Sequence, residues 1–128
     1  IEPKSRQGTP DKILKIYSIL EGLIDKYRPD VLVLEKIYSH YKHPATANVI
    51  GHVRGIICLL SAQRKISFEE YSVKRIRKSI VGNGNATKIQ TRRIVSHAFN
   101  VDEQQLSLDA SDALALALGY AHMSKAVL

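Results

Sequence analysis

The stretch Arg28-Pro29-Asp30-Val31-Leu32-Val33-Leu34-Glu35 (28–35) decides the fold. A proline-centred breaker is followed by four apolar residues, two of them β-branched, and the run meets a charge abruptly at Glu35. Apolar residues without alternation predict a strand over 31–34 buried on both faces, as when helices cover a sheet on either side. Upstream, Thr9 as N-cap, Pro10 at the first helical position and Asp11 in the first turn predict a helix from Pro10 to about Tyr27. Its residues Ile13, Leu14, Ile16, Tyr17, Leu20, Leu23 and Ile24 recur at spacings of three and four, one apolar stripe.

Downstream, Val49, Ile50, Val53, Ile56, Ile57 and Leu60 show helical spacing, predicting a long helix from Ala45 to about Gln63. Its small residues Gly51, Gly55, Cys58 and Ser61 would allow close approach of another helix. Ile66 to Tyr71 alternates as an edge strand would, and Val73 to Val81 reads as a short basic helix. After the glycine-rich turn Gly82-Asn83-Gly84-Asn85, helical spacing resumes from Ala86 to about Phe99. The last helix, Asp109 to about Met123, is apolar nearly all round and must be covered. Helices alternating with strands indicate an α/β layered domain, yet two strands make a poor sheet.

The 128 residues suffice for one domain, the expectation for 1–128, and 45% hydrophobic content with four prolines excludes a disordered tail. A single cysteine, Cys58, excludes an internal disulfide framework, and five scattered histidines leave no zinc-like spacing, so a reducing cytoplasmic setting is expected. The longest apolar stretches, 56–62 and 113–121, fall short of the ~20 residues of a membrane span, so no membrane is expected. Nineteen Lys and Arg against twelve Asp and Glu give +7, a sign that favours a polyanionic partner. A bare net charge serves solubility equally well.

Two features could carry chemistry. Glu35 lies at the C-terminal end of a strand, where ligands collect in α/β sheets. In Asp109-Ala110-Ser111-Asp112 the aspartates are three apart at a helix start, so both carboxylates share a face, and hard divalent cations need such oxygen ligands. Taken singly, a strand-end Glu is ordinarily solvated and an Asp opening a helix ordinarily serves as cap or macrodipole partner. Asp11, Asp25, Glu69, Glu70, Asp102 and Glu103 read as solvated charge, and His40 and His43 as solvated loop residues.

Four motifs, in this order and at these spacings, carry a resemblance. They are Val-Leu-Glu-Lys-Ile-Tyr (33–38), His-Val-Arg-Gly-Ile (52–56), Ile-Val-Gly-Asn-Gly-Asn-Ala-Thr-Lys-Ile-Gln (80–90) and Leu-Asp-Ala-Ser-Asp-Ala-Leu-Ala-Leu-Ala (108–117). The chain resembles the RuvC family of Holliday-junction resolvases, of the RNase H-like superfamily, from Pro10 to His122. The resemblance implies an α/β, RNase H-like fold with a mixed five-stranded sheet flanked by helices, its first three strands absent from these residues. It implies that Glu35, Asp109 and Asp112 are catalytic and match three of four metal-binding acidic residues. The fourth, an aspartate in a Gly-Ile-Asp-Pro-Gly-type strand, has no counterpart, and Ile1-Glu2-Pro3 matches it only superficially.

The same resemblance implies Mg²⁺ or Mn²⁺, two ions per active site, in a metal-dependent hydrolysis of phosphodiester bonds. It places Lys88 close to the scissile phosphate as a further catalytic residue, Arg77 facing the DNA, and Tyr38 against unstacked bases at the crossover. Lys74 and Lys78, with Arg75, would add sequence-independent affinity for DNA. The helix over 45–63 matches the one through which the family forms its homodimer, and a branch-migration helicase complex is implied as a partner. Two other readings compete: a catalytically silent DNA-binding module, suggested by the missing aspartate, and an RNase H-like nuclease acting on another branched or RNA-containing substrate.

Overall fold

A computed structural model describes residues 8–36 and 43–124. Its elements run α1 (Thr9–Tyr27), β1 (Val31–Glu35), α2 (Pro44–Arg64), β2 (Ser67–Tyr71), α3 (Val73–Val81), α4 (Lys88–Phe99), a 3-10 turn (Glu103–Gln105) and α5 (Leu108–Ser124). They form two compact units, one drawn from residues up to 32 and from 43–68, the other from 33–36 and 69–124. β1 and β2 pair into a two-stranded sheet. The Lys36 N–H at the end of β1 donates to the Tyr71 carbonyl at the end of β2 (2.8 Å), so the strands are parallel, as a helical crossover requires.

In the first unit α1 packs on α2. Leu60 is fully buried and Ile56 nearly so. The Ser61 hydroxyl donates to the Ile66 carbonyl (2.6 Å), fixing the chain as it leaves α2. The Tyr17 hydroxyl donates to Gln63 Oε1 (2.7 Å) or Glu21 Oε2 (3.1 Å), and Arg64 pairs with Glu21 (3.1 Å) and Asp25 (2.9 Å). These half-exposed ion pairs are worth at most about 1 kcal/mol each; they set register more than they add stability.

Several sequence expectations change here. Gly8, not Thr9, is the N-cap of α1, and no side chain caps it; Thr9 and Pro10 lie inside the first turn. The apolar stripe of α1 is not covered throughout, since Leu14 and Leu23 are exposed: in its own unit α1 has one helical neighbour, too narrow to hide the whole stripe. β1 is only partly buried along 31–34, because among the described residues it pairs with one strand and lacks the cover of a central one; it runs one residue further than expected, with Glu35 at its C-terminal end. Ser61 turns inward to reach Ile66, so it does not share the open face of Gly51 and Gly55. α2 takes in Pro44 and Arg64 and is long and apolar enough, by length and composition, to cross a membrane. The apolar stretch 56–62 is a third of that length.

In the second unit α3, α4 and α5 pack around Ile76, Val95, Leu106 and Ala115. α3 spans the predicted residues, with the Ser72 hydroxyl accepting from the Arg75 N–H (3.2 Å). α4 begins at Lys88 rather than Ala86 because Thr87 forms a capping box: its hydroxyl accepts from the Gln90 N–H and its own N–H donates to Gln90 Oε1. α5 begins at Leu108, where the Ser107 hydroxyl accepts from the Ala110 N–H (3.1 Å). α5 is fully buried along one stripe, Ser111, Ala115 and Gly119, small residues one turn apart that let its neighbours approach closely, and Leu114, Leu116, Leu118 and Met123 are partly buried against the core. Ala110, Ala113 and Ala117 stay exposed, so the all-round cover expected of this helix is not seen within its unit.

Candidate active site

The second unit holds a cavity of about 180 Å³. Its floor is apolar, from Val73 and Ile76 of α3 and Ala115 and Leu116 of α5. Four charged side chains line it: Glu35 from the end of β1, Arg77 from α3, Lys88 from the start of α4 and Asp112 from the second turn of α5. Thr91 completes the wall, its hydroxyl donating to the Thr87 carbonyl (3.0 Å). Four separate elements thus bring two carboxylates and two cations into one concave site.

Helix ends make these positions informative. The N-terminal turn of a helix carries partial positive charge, so a basic residue there is disfavoured by about 0.3–1 kcal/mol. α4 opens on Lys88 and α3 carries Lys74 and Arg75 in its first turn, and neither has an acidic residue in that turn. Two neighbouring helix starts that both present cations without acids suit an incoming anion, for which dipole and side chains then act together. Asp109, by contrast, sits in the first turn of α5, where the macrodipole alone rewards a carboxylate. Asp112 lies beyond that turn and has no such structural reason to be acidic.

The structure therefore separates the residues singled out from the sequence. Glu35, Asp112, Lys88 and Arg77 share the cavity; Asp109, one turn before Asp112, does not line it. Lys74 and Lys78 are exposed on α3 outside the cavity, and the stem of Lys74 lies against the Gly84 turn. Arg75 stacks over the Tyr71 ring at 5.1 Å. Tyr38 and His40 lie outside the described residues. Among the described residues no group of three or more His, Cys, Asp or Glu could hold a metal ion. Mg²⁺ is commonly bound through one or two carboxylates together with water and substrate phosphate, so the pair Glu35 and Asp112 fits one such ion, while a second needs further donors. Sequence reasoning passed over Thr91, although it stands three residues after Lys88 and so on the same helix face.

Residues 1–120 match the family described as crossover junction endodeoxyribonuclease RuvC. The chain is 38% identical to the protein of that name from Chloroherpeton thalassium over 92% of its own length and 63% of the relative's. It is 34% identical to that from Rhodopirellula baltica over 90% and 66%, respectively, so the chain spans about two-thirds of these relatives. In fold it is similar to the Thermus thermophilus RuvC structure, with a TM-score of 0.85 at 17% identity over 98% of this chain and 75% of that one. It is equally similar to T. thermophilus RuvC in complex with Holliday junction substrate, TM-score 0.85 at 14% identity. The expected RNase H-like fold is thus borne out.

Proposed function

Because the chain belongs to the crossover junction endodeoxyribonuclease RuvC family, we propose that it carries the active site of a metal-dependent endonuclease that resolves Holliday junctions in DNA recombination and repair. The observation that carries this reading is the cavity in which Glu35 and Asp112 meet Lys88 and Arg77. The match runs from residue 1 to 120 and so across both units, which supports reading them as one nuclease domain.

Glu35 and Asp112 would hold a magnesium or manganese ion, with Asp109 one turn away as the next donor and a second ion drawing on donors outside these residues. Such an ion, when bound, lowers the pKa of water and neutralises charge on a phosphodiester. Lys88 and Arg77 bind the scissile and neighbouring phosphates, holding the strand over the carboxylates. Lys74 and Lys78, exposed on the next face of α3, add affinity without sequence preference, and Tyr38 stacks on an unpaired base at the crossover.

We further propose a homodimer formed through α2, on whose exposed face Gly51 and Gly55 have open space beside them. Two symmetric sites would then meet two strands of the four-way junction. A branch-migration helicase complex is the expected partner, and the cytoplasm the expected setting. A second reading, junction binding without cleavage, draws on the gathering of two carboxylates, among the described residues, in the cavity.

The substitution Asp112→Asn in the intact protein separates the two. We expect loss of Mg²⁺- or Mn²⁺-dependent cleavage of a synthetic four-way junction, with junction binding kept within about twofold because phosphate contacts supply most of the affinity. Cleavage undiminished in Asp112→Asn would remove these carboxylates from the chemistry; no cleavage by the unsubstituted protein would favour the silent module.

A further inference from the structure

The site draws one of its two cations, Lys88, from α4 and a carboxylate, Asp112, from α5, so its geometry depends on how these helices are tied together. The connection between them, 100–107, contains the 3-10 turn Glu103–Gln105, which the Asp102 carboxylate caps by accepting from the Gln104 N–H (3.0 Å). Arg92, one turn after Lys88 on α4, reaches across to this connection. Its Nη2 donates to the Glu103 carbonyl (2.5 Å) and to the Leu106 carbonyl, the latter directly before the Ser107 cap of α5.

The arrangement carries a cost. Arg92 Nε is buried and, among the described residues, has no hydrogen-bond acceptor. A buried donor left unpaired offsets part of what the two charge-assisted bonds return. The two bonds are also a geometric tie: through one nitrogen of a rigid planar group they fix the Glu103 and Leu106 carbonyls of the connection against the helix that carries Lys88.

We propose that Arg92 is a positioning residue, which sets the start of α5, and with it Asp109 and Asp112, relative to Lys88. The inference rests on the nuclease reading for its activity readout and on the proposed ion site at Glu35 and Asp112 for its metal-binding readout. Nothing in helical periodicity marks Arg92, because its partners are backbone carbonyls that lie across a turn.

The test compares Arg92→Met and Arg92→Lys with Val95→Ala, a core truncation outside the site, in the intact protein. Arg92→Met removes both bonds together with the unpaired Nε; Arg92→Lys keeps a charge and donors, but on a shorter stem without the planar guanidinium. In single-turnover cleavage of a synthetic four-way junction we expect Arg92→Met to slow the saturated rate by about 10–100-fold, the scale of a misplaced reacting group. Junction affinity measured with metal withheld should stay within twofold, and Arg92→Lys should recover part of the rate. Val95→Ala should lower Tm yet retain the rate of the folded fraction. Calorimetric titration with Mn²⁺ alone should show weaker binding to Arg92→Met than to the unsubstituted protein. A normal rate in Arg92→Met, or an equal rate loss in Val95→Ala, would overturn the proposal. If the unsubstituted protein does not cleave, the nuclease reading has failed and the Mn²⁺ titration decides: weaker binding in Arg92→Met sustains the positioning role, and equal or absent binding in both proteins ends it.

Discussion

Gly119 of α5 lies so close to Ile76 of α3 that a Cβ on the glycine would stand 2.8 Å from Ile76 Cδ1 and 3.0 Å from Ser79 Oγ. The contact sets the approach of the two helices that floor the cavity, for Ile76 itself lines it and Arg77 follows directly. Gly119→Ala would gain about 1 kcal/mol in helix propensity, but overpacking a tight contact costs about 1–3 kcal/mol. Ile76 is buried at 4% exposure and Ser79 Oγ is engaged with the Ile76 carbonyl (2.6 Å), so neither can turn away cheaply. We expect Gly119→Ala to lower Tm by a few degrees and Gly119→Leu to do so severely; thermal unfolding checks both, and a raised Tm in Gly119→Ala would mean that α3 and α5 stand further apart.

The capping box of α4 bears on both stability and site. Thr87→Ala removes the acceptor for the Gln90 N–H and should destabilise by about 1 kcal/mol. Thr87→Ser retains the hydroxyl and should lose much less. Because Lys88 is the first residue of α4, fraying of that turn should also weaken junction cleavage in Thr87→Ala. Denaturant melts combined with cleavage rates check the pair; equal stability of the Ala and Ser variants would show the cap to be unimportant.

Much of this organisation is legible in the sequence, for reasons that differ by element. α3 reads correctly to the residue because its apolar and basic positions alternate with helical period between Ser72 and Gly82, a cap at each end. β1 is found because β-branched residues follow a proline breaker, but its burial is misread, since periodicity reports only that a strand is apolar and not how many neighbours it has. The caps Gly8 and Ser107 are each displaced by one or two residues from the obvious candidates Thr9 and Asp109, as helix ends depend on backbone geometry. Glu35 and Asp112 illustrate the larger limit. Each is locally unremarkable, and only the resemblance of four spaced motifs pairs them, whereas the structure does so by placing both on one cavity. Arg92 and Thr91 belong to neither signal.

The open face of α2 yields a prediction about assembly. Gly51 and Gly55 are exposed, one turn apart, with nothing within 4 Å of a built Cβ, and Leu59 a further turn on is 50% exposed. A homodimer formed on this face would bury all three. Gly55→Arg should then give monomers in sedimentation without loss of the fold, since the glycine has open space beside it in its own chain. A dimer that survives Gly55→Arg would place the interface elsewhere, and a monomer in the unsubstituted intact protein would remove it.

The cations at the starts of α3 and α4 lead to the last prediction. Lys74, Arg75 and Lys88 carry no acidic partner in the first turns of their helices, and DNA phosphates would supply the missing negative charge. Each phosphate neutralised releases condensed counterions, so junction affinity should fall steeply as salt is raised, with the slope set by the number of contacts. Lys74→Ala, outside the cavity, should reduce that slope by about one and leave the saturated rate unchanged. Lys88→Ala should behave differently, because Lys88 shares the cavity with Glu35 and Asp112. There the lost contact falls on the phosphate under attack, where charge grows in the transition state, so the rate should drop far more than the affinity. Binding and single-turnover cleavage measured at several salt concentrations resolve the two effects. If Lys88→Ala merely mirrored Lys74→Ala, the cavity would be a docking surface for DNA and not the place where the strand is cut.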